Sequence, residues 1–324
     1  MSAHPAPPNV AFASTGDLGD KTVTFAKLGE GAYAYTAEGD PNTGVIIGDD
    51  GVMVIDTQAT PVMAAGVLEK IRAVTDKPVK YVLLTHYHAV RVLGASAYQA
   101  QAIIASRGTH EMILERGQED YDSEAGRFPR LFQGLDSIPG LTWPTVVFDD
   151  RLTVDLGNRR VEILHPGKGH TQGDTVAWLP GERILYAGDL VEHNATPYTG
   201  DAHLAEWPET LRRLRDMKPN RLVPGRGDAL MTPGDCEAAI AMTEAFVSDL
   251  FETAREGVAL NQDLRTVYRR CRDRMDAKYG HWVIYDHCMP FDVTRAWDEA
   301  RGIRRPRTWT ADRDRDMWAA LEGE

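Results

Sequence analysis

Cysteine, long apolar runs and positive charge are all scarce in this chain, and each shortage removes a class of protein. The cysteines are Cys236, Cys271 and Cys288 in 324 residues. They are too few and too far apart for a disulfide framework or a C-x-x-C zinc pair, and they read as reduced thiols of a cytoplasmic protein. No apolar run approaches the ~20 residues that cross a bilayer. The N-terminal stretch MSAHPAPPNVAFAST lacks the basic start and continuous apolar segment of a signal peptide, and reads as a loosely ordered arm. Lys and Arg number 36 against 48 Asp and Glu, a net charge of −12. Most of such a surface repels phosphate, so neither nucleic acid nor an anionic membrane is an expected partner. A small anionic substrate in a locally basic pocket is not excluded.

What is present is a regular alternation of strands and helices. Short strand-like segments (TVTFAKLG, AYAYTA, TGVIIGDDG, VMVIDT) fill residues 22–56, with Asp49-Asp50-Gly51 as a hairpin turn. A helical period follows in PVMAAGVLEKIRAV, then a buried strand in VKYVLLT. VLGASAYQA and THEMILERGQEDY read as helices on either side of the strand AIIAS. Residues 121–144 are rich in Gly, Pro and aromatics and read as a functional loop or lid. Five more strands and the helix EWPETLRRLRDM lead to RLVPGRGD. From Thr232 onward the pattern is helical only. The expected organisation is an arm over 1–21, a layered domain over 22–231, and a helical extension over 232–324 packed on it. Mixed sheets covered by helices suggest an α+β, four-layer αββα sandwich.

The chemistry gathers at strand ends. His86 and His88 sit at i and i+2 at the end of a buried strand, where alternate side chains point the same way and can share one metal ion. His170, in the Gly-rich loop HPGKGHTQGDT, is a third candidate, and Asp189, ending ILYAG, is a fourth. Three imidazoles leave the fourth position of a tetrahedral zinc for water, whose pKa then falls to roughly 7.

In order, VMVIDT with Asp56, LLTHYH, GHTQGD, YAGD and VPGRG resemble the metallo-β-lactamase-fold superfamily over about residues 22 to 230. The resemblance implies an αββα sandwich with a metal site at one edge. Most members are zinc hydrolases of lactams, lactones, thioesters or phosphodiesters, and some are mononuclear-iron oxygenases. The family motif is T-H-x-H-x-D-H, and its last segment is usually P-G-H-G. Here Val90, Arg91 and Arg226 stand at the Asp and the two His positions of the second metal site. Val90 cannot coordinate, and an arginine stays protonated. One metal site is therefore retained, with His86, His88 and His170 as ligands, and the other is lost.

Asp189, which bridges two metals in the superfamily, becomes either a ligand of the single ion or a general base. Arg91 and Arg226 either grip a carboxylate, phosphate or oxyanion, or fill the vacated site by pairing with Asp189 or Asp56. Asp56 is expected to orient a ligand histidine, and Thr85 to be structural. His193, Asn194 and Tyr198 follow Asp189 closely enough to line a pocket. In GHWVIYDHCMPFD, His281, Trp282, Tyr285, His287 and Phe291 can close over the site or form a dimer contact. The first functional reading is a hydrolase with one zinc per chain, in which metal-bound hydroxide attacks a carbonyl or similar electrophile of a small, anionic or aromatic substrate. The second is an iron oxygenase built on His86, His170 and Asp189. The third is a scaffold or sensor with a degenerate site.

Overall fold

Strands that are apolar at every position must be buried on both faces, and this dictates the layering. The computed structural model describes residues 13–322. One sheet holds β1 (Val23–Gly29), β2 (Ala32–Ala37), β3 (Thr43–Ile47), β4 (Val52–Ile55), β5 (Val79–Leu83), β6 (Ala102–Ser106) and β7 (Val146–Phe148), in spatial order of the chain. Strands β1 to β4 pair antiparallel and β4 to β7 parallel. The second sheet has the order β12-β11-β10-β9-β8. These strands are β8 (Arg151–Asp155), β9 (Arg160–Leu164), β10 (Val176–Leu179), β11 (Ile184–Gly188) and β12 (Arg221–Pro224). All its pairs are antiparallel except β11 with β12.

Period-two alternation assigns each strand residue to a layer. In β4, Met53 and Ile55 pack between the sheets, while Val52 and Val54 face the helices. In β11, Ile184 and Tyr186 point to the inter-sheet core, and Leu185 and Ala187 to the opposite side. The outer face of the first sheet is covered by α1 (Pro61–Arg72), α2 (Ala89–Val92) and α3 (Arg107–Arg127). The outer face of the second carries α4 (Trp207–Asp216), α5 (Pro233–Ala259), α6 (Leu264–Tyr279), α7 (Tyr285–Ala300) and α8 (Ala311–Glu322). The result is the expected four-layer αββα sandwich, with its C-terminal helices in one outer layer.

Several elements differ from their sequence reading. Helix α3 runs to Arg127, so the first residues of the expected 121–144 loop are helical. Two of its carboxylates accept backbone N–H groups at the start of α2, Asp120 from Ala89 at 2.7 Å and Glu124 from Val90 at 2.8 Å. Those bonds extend the helix beyond where its Gly and Ser content suggests an end. VLGASAYQA is not one helix: α2 ends at Val92, and a 3-10 turn follows over Ala95–Tyr98. Helix α7 begins at Tyr285 and carries Pro290 in its interior. Residues 1–12 of the expected arm lie outside the described residues. The remainder is anchored, because Arg130 donates to Asp17 at 3.0 Å while holding Asp40.

Candidate metal centre

Each candidate ligand leaves the C-terminal end of a strand. His86 and His88 follow β5, His170 lies in the β9–β10 connection, Asp189 directly follows β11, and Arg226 follows β12. Such strand ends at the edge between sheets are where open folds build their sites. Ligand atoms of His86, His88 and His170 lie within 4.8 Å of one another, and all three rings are buried.

Each imidazole has one nitrogen engaged by the protein and the other aimed inward. Asp56 accepts from the Thr85 backbone N–H at 2.9 Å and from the Thr85 hydroxyl at 2.8 Å. With its proton thus committed, the Thr85 oxygen accepts from His86 Nδ1–H at 2.9 Å. Thr85 therefore orients a ligand rather than only filling space, and Asp56 acts through it. His170 Nδ1–H donates to the Tyr198 carbonyl at 2.8 Å. His88 Nε2–H faces Asp201 Oδ2 at 3.3 Å. Left over are His86 Nε2, His88 Nδ1 and His170 Nε2, and a buried His86 Nε2 with no hydrogen-bond partner is the signature of a position built for a cation. The donor set, one nitrogen from each of three imidazoles, fits zinc or another imidazole-binding ion once His88 gives up a proton.

Burial pushes His86 well below its ordinary pKa and takes His170 down to about 3, so both are neutral and ready to ligate. His88 goes the other way, to about 9, because burial is outweighed by the carboxylates of Asp120, Asp201 and Glu124. Without a metal, its Nδ1–H can donate to His170 Nε2 at 3.0 Å.

The second-site positions are filled by a buried ion pair. Arg91, 1% exposed, pairs with Asp189 Oδ1 and donates to the carbonyls of Asn42 at 3.1 Å and Gly225 at 2.8 Å. Gly225 is required here, since a Cβ would collide with the Asp189 carboxylate. Although burial raises it, Asp189 stays below its ordinary pKa, chiefly under the charge of Arg91 and with Arg226 adding to it. Its other oxygen lies 3.7 Å from both His86 Nε2 and His170 Nε2. Arg226 is handled differently: its backbone N–H donates to Glu192 at 2.5 Å and its guanidinium to the Gly39 carbonyl at 3.1 Å. Burial, reinforced by the charge of Asp189, raises Glu192 well above the carboxylate range.

Over the ligands lies an inner chamber of about 20 Å³, bounded by Glu124, Asp189, Glu192, Tyr198 and Cys288 among others. That is room for about one water molecule. A cavity of about 210 Å³ adjoins it, and Phe128, Arg226, Ile284 and His287 line both. The C-terminal GHWVIYDHCMPFD segment thus closes over the site. Of the expected pocket residues, Tyr198 and His287 are in place, whereas His193 and Asn194 line neither chamber. The chain turns at Asn194 (φ 53°), whose carbonyl accepts the Val283 N–H at 3.1 Å, and its side chain is left exposed.

Sequence reading missed Asp201, Glu192, Glu124 and Cys288. Glu192 had a signal, three residues after Asp189 and next to the favoured His193. Asp201 had none beyond its residue type. It is 2% exposed, yet it also accepts from Tyr87 Oη at 2.9 Å and Arg116 at 2.9 Å.

Residues 36–226 match the family model for the metallo-beta-lactamase superfamily. The chain is 27% identical to a metallo-beta-lactamase type 2 of Bacillus sp. (strain 170) over 222 residues, 64% of this chain and 77% of that one. It is 28% identical to the 2,4-dinitroanisole O-demethylase subunit alpha of Nocardioides sp. (strain JS1661) over 242 residues, 72% of this chain and 66% of the other. Among solved structures, a metallo-beta-lactamase from Pontibacter korlensis superposes with a TM-score of 0.56 at 22% identity, covering 70% of this chain and 99% of that one.

Proposed function

This chain belongs to the metallo-β-lactamase superfamily, and we propose that it is a hydrolase that works with a single metal ion, zinc, at His86, His88 and His170. One observation carries the reading: one nitrogen of each of three buried imidazoles converges on a common point, with His86 Nε2 left without a hydrogen-bond partner, while the second-site position of Arg91 is closed by its ion pair with Asp189. When bound there, zinc supplies Lewis acidity and makes water acidic enough to deprotonate near pH 7.

The chain's own residues supply the rest. Arg91 holds Asp189 ionised and fixed, with Oδ2 directed at the gap between His86 and His170. Asp189 Oδ2 takes the proton of the attacking water and returns it to the leaving group, so hydroxyl adds to the electrophile and hydrogen to the departing atom. Arg226, with no carboxylate in ion-pair contact among the described residues, is the group suited to an anionic substituent or a developing oxyanion. Arg91 is a plug, since the carboxylate and two carbonyls occupy its guanidinium. The names of two relatives, a metallo-beta-lactamase and a 2,4-dinitroanisole O-demethylase subunit, support an electrophile not restricted to a carbonyl. All three cysteines are buried and unpaired, which supports a reducing compartment such as the cytoplasm. Among the described residues no helix is long and apolar enough to cross a membrane.

The test is elemental analysis of protein purified without added metal. One zinc per chain, lost in His86→Ala and His170→Ala, is the expected result. One iron with oxygen consumption would move the protein to the oxygenases, and no metal with unchanged stability in both variants would remove the enzyme reading altogether.

A further inference from the structure

The cavity of about 210 Å³ outside the metal chamber has an aromatic and aliphatic wall of Phe128, Leu131, Trp282, Ile284 and Tyr285. Three carboxylates border it, and each is already matched. Arg130 holds Asp40 at 2.5 and 2.6 Å, and Asp17, which Arg130 also reaches at 3.0 Å, pairs with Lys21 at 2.9 Å. Asp286 pairs with Arg272 at 3.0 Å. The lining cation left without a carboxylate among the described residues is Arg226, which is 6% exposed and also lines the metal chamber. A low-dielectric wall with one guanidinium at its inner end that has no carboxylate in ion-pair contact among the described residues favours a single negative charge on an apolar body. The volume equals roughly seven water molecules and falls below the ~300 Å³ at which drug-sized pockets begin. A single ring with a short anionic arm fits that volume.

Ile284 stands between the two chambers at φ 58° and ψ 12°. A β-branched residue in the left-handed region is an outlier that the surroundings must enforce, and such strain concentrates where a side chain has a task. Here the enforcement is visible on both sides. Val283 is tied into a bridge with Ala195, donating to Asn194 at 3.1 Å and accepting from Thr196 at 3.0 Å, and α7 begins at Tyr285.

We propose that this outer cavity binds the body of the substrate, a slim aromatic or aliphatic monoanion held by Arg226, and that Ile284 decides which substrates pass from it to the metal chamber. The proposal rests on the single-metal hydrolase reading for its chemistry, but binding and passage can be measured without it. Calorimetry on chelator-treated protein compares phenylacetate with its neutral isostere phenylacetamide. Phenylacetate is expected to bind about tenfold more tightly or better, as for a hydrogen bond to a charged group. Arg226→Met should erase that preference while leaving phenylacetamide binding intact, which also shows that the variant is folded. Equal affinities, or a preference that survives Arg226→Met, would overturn the anchor.

Passage is read at Cys288, a buried thiol on the inner chamber wall, by peptide mapping after exposure to methyl methanethiosulfonate. Ile284→Gly removes the bar and suits the left-handed backbone, so the fold should tolerate it. It should speed labelling of Cys288 but not of the core cysteines Cys236 and Cys271, and saturating phenylacetate should abolish the gain. A rise at all three cysteines, or no phenylacetate protection, would sink the proposal. If instead the chain proves to hold no zinc while the phenylacetate preference persists, the hydrolase reading fails and the binding site stands.

Discussion

Asp201 carries the largest untested burden of any residue at the centre. Its carboxylate holds His88, Tyr87 and Arg116 together, and burial is outweighed by these partners, so it stays ionised below its ordinary pKa. Removing the charge while keeping the shape, in Asp201→Asn, should weaken zinc binding by about 10- to 100-fold. Competition with a chromophoric chelator measures this directly, and unchanged affinity would show that His88 needs no such partner. Asp174 gives a separate, pH-dependent signal. It accepts from the Thr171 N–H and hydroxyl, and burial raises it from 3.8 to about 7. The folded chain therefore holds a proton that the unfolded chain has lost between those values, so stability falls as pH rises through that window. Asp174→Asn keeps an acceptor for Thr171 and should flatten the decline, as seen in melting temperatures of chelator-treated protein from pH 4 to 8. His86 and His88 were legible from their local spacing, and His170 and Arg91 from the order of the family motifs. Asp201 was not, since it meets His88 from 113 positions away.

Helix ends separate what local rules govern from what packing governs. At the start of α5, Thr232 accepts the Asp235 N–H at 3.2 Å ahead of Pro233, a local cap of the kind that residue type alone favours. Thr232→Ala should cost about 1 kcal/mol in chemical denaturation, with little change in metal content. Helix α7 shows the opposite case. A proline lacks the N–H for the preceding turn, so the pattern invites a helix that begins only after Pro290. Tertiary burial of Tyr285, Cys288, Met289, Phe291 and Val293 extends it upstream, and brings His287 and Cys288 to the metal chamber. A contact set distributed over the fold leaves no mark in the local sequence period.

The C-terminal helices pack closely on the second sheet. Leu185, Ala187 and Leu222 of the second sheet share one core with Ile240, Phe246, Val247, Cys271 and Phe291. Trp309 also donates to the Gly200 carbonyl at 3.1 Å, and Arg116 to Pro306 at 3.1 Å, on either side of Asp201. A chain ending at residue 231 would expose that apolar face, and it should collapse into a state without fixed packing. Near-ultraviolet circular dichroism and gel filtration decide the matter, with a cooperative, monomeric 1–231 fragment as the contrary outcome. The layer order was legible in full, because both-sided burial dictates apolar strands and strand-end motifs occur in family order. Which helices roof the site was not, since that depends on how four helices dock.

The ion pair between Arg91 and Asp189 also limits the paths by which this centre could change. Arg91→His alone would strand a buried carboxylate, a loss of about 3–5 kcal/mol, and would regain only one of the three missing ligands. Val90→Asp alone would add a carboxylate beside Glu124, which already accepts the Val90 N–H. Either of these two steps toward a second metal therefore lowers stability before any second ion can bind. On the single-metal reading proposed above, the pair works as a mutational ratchet, far easier to keep than to reverse.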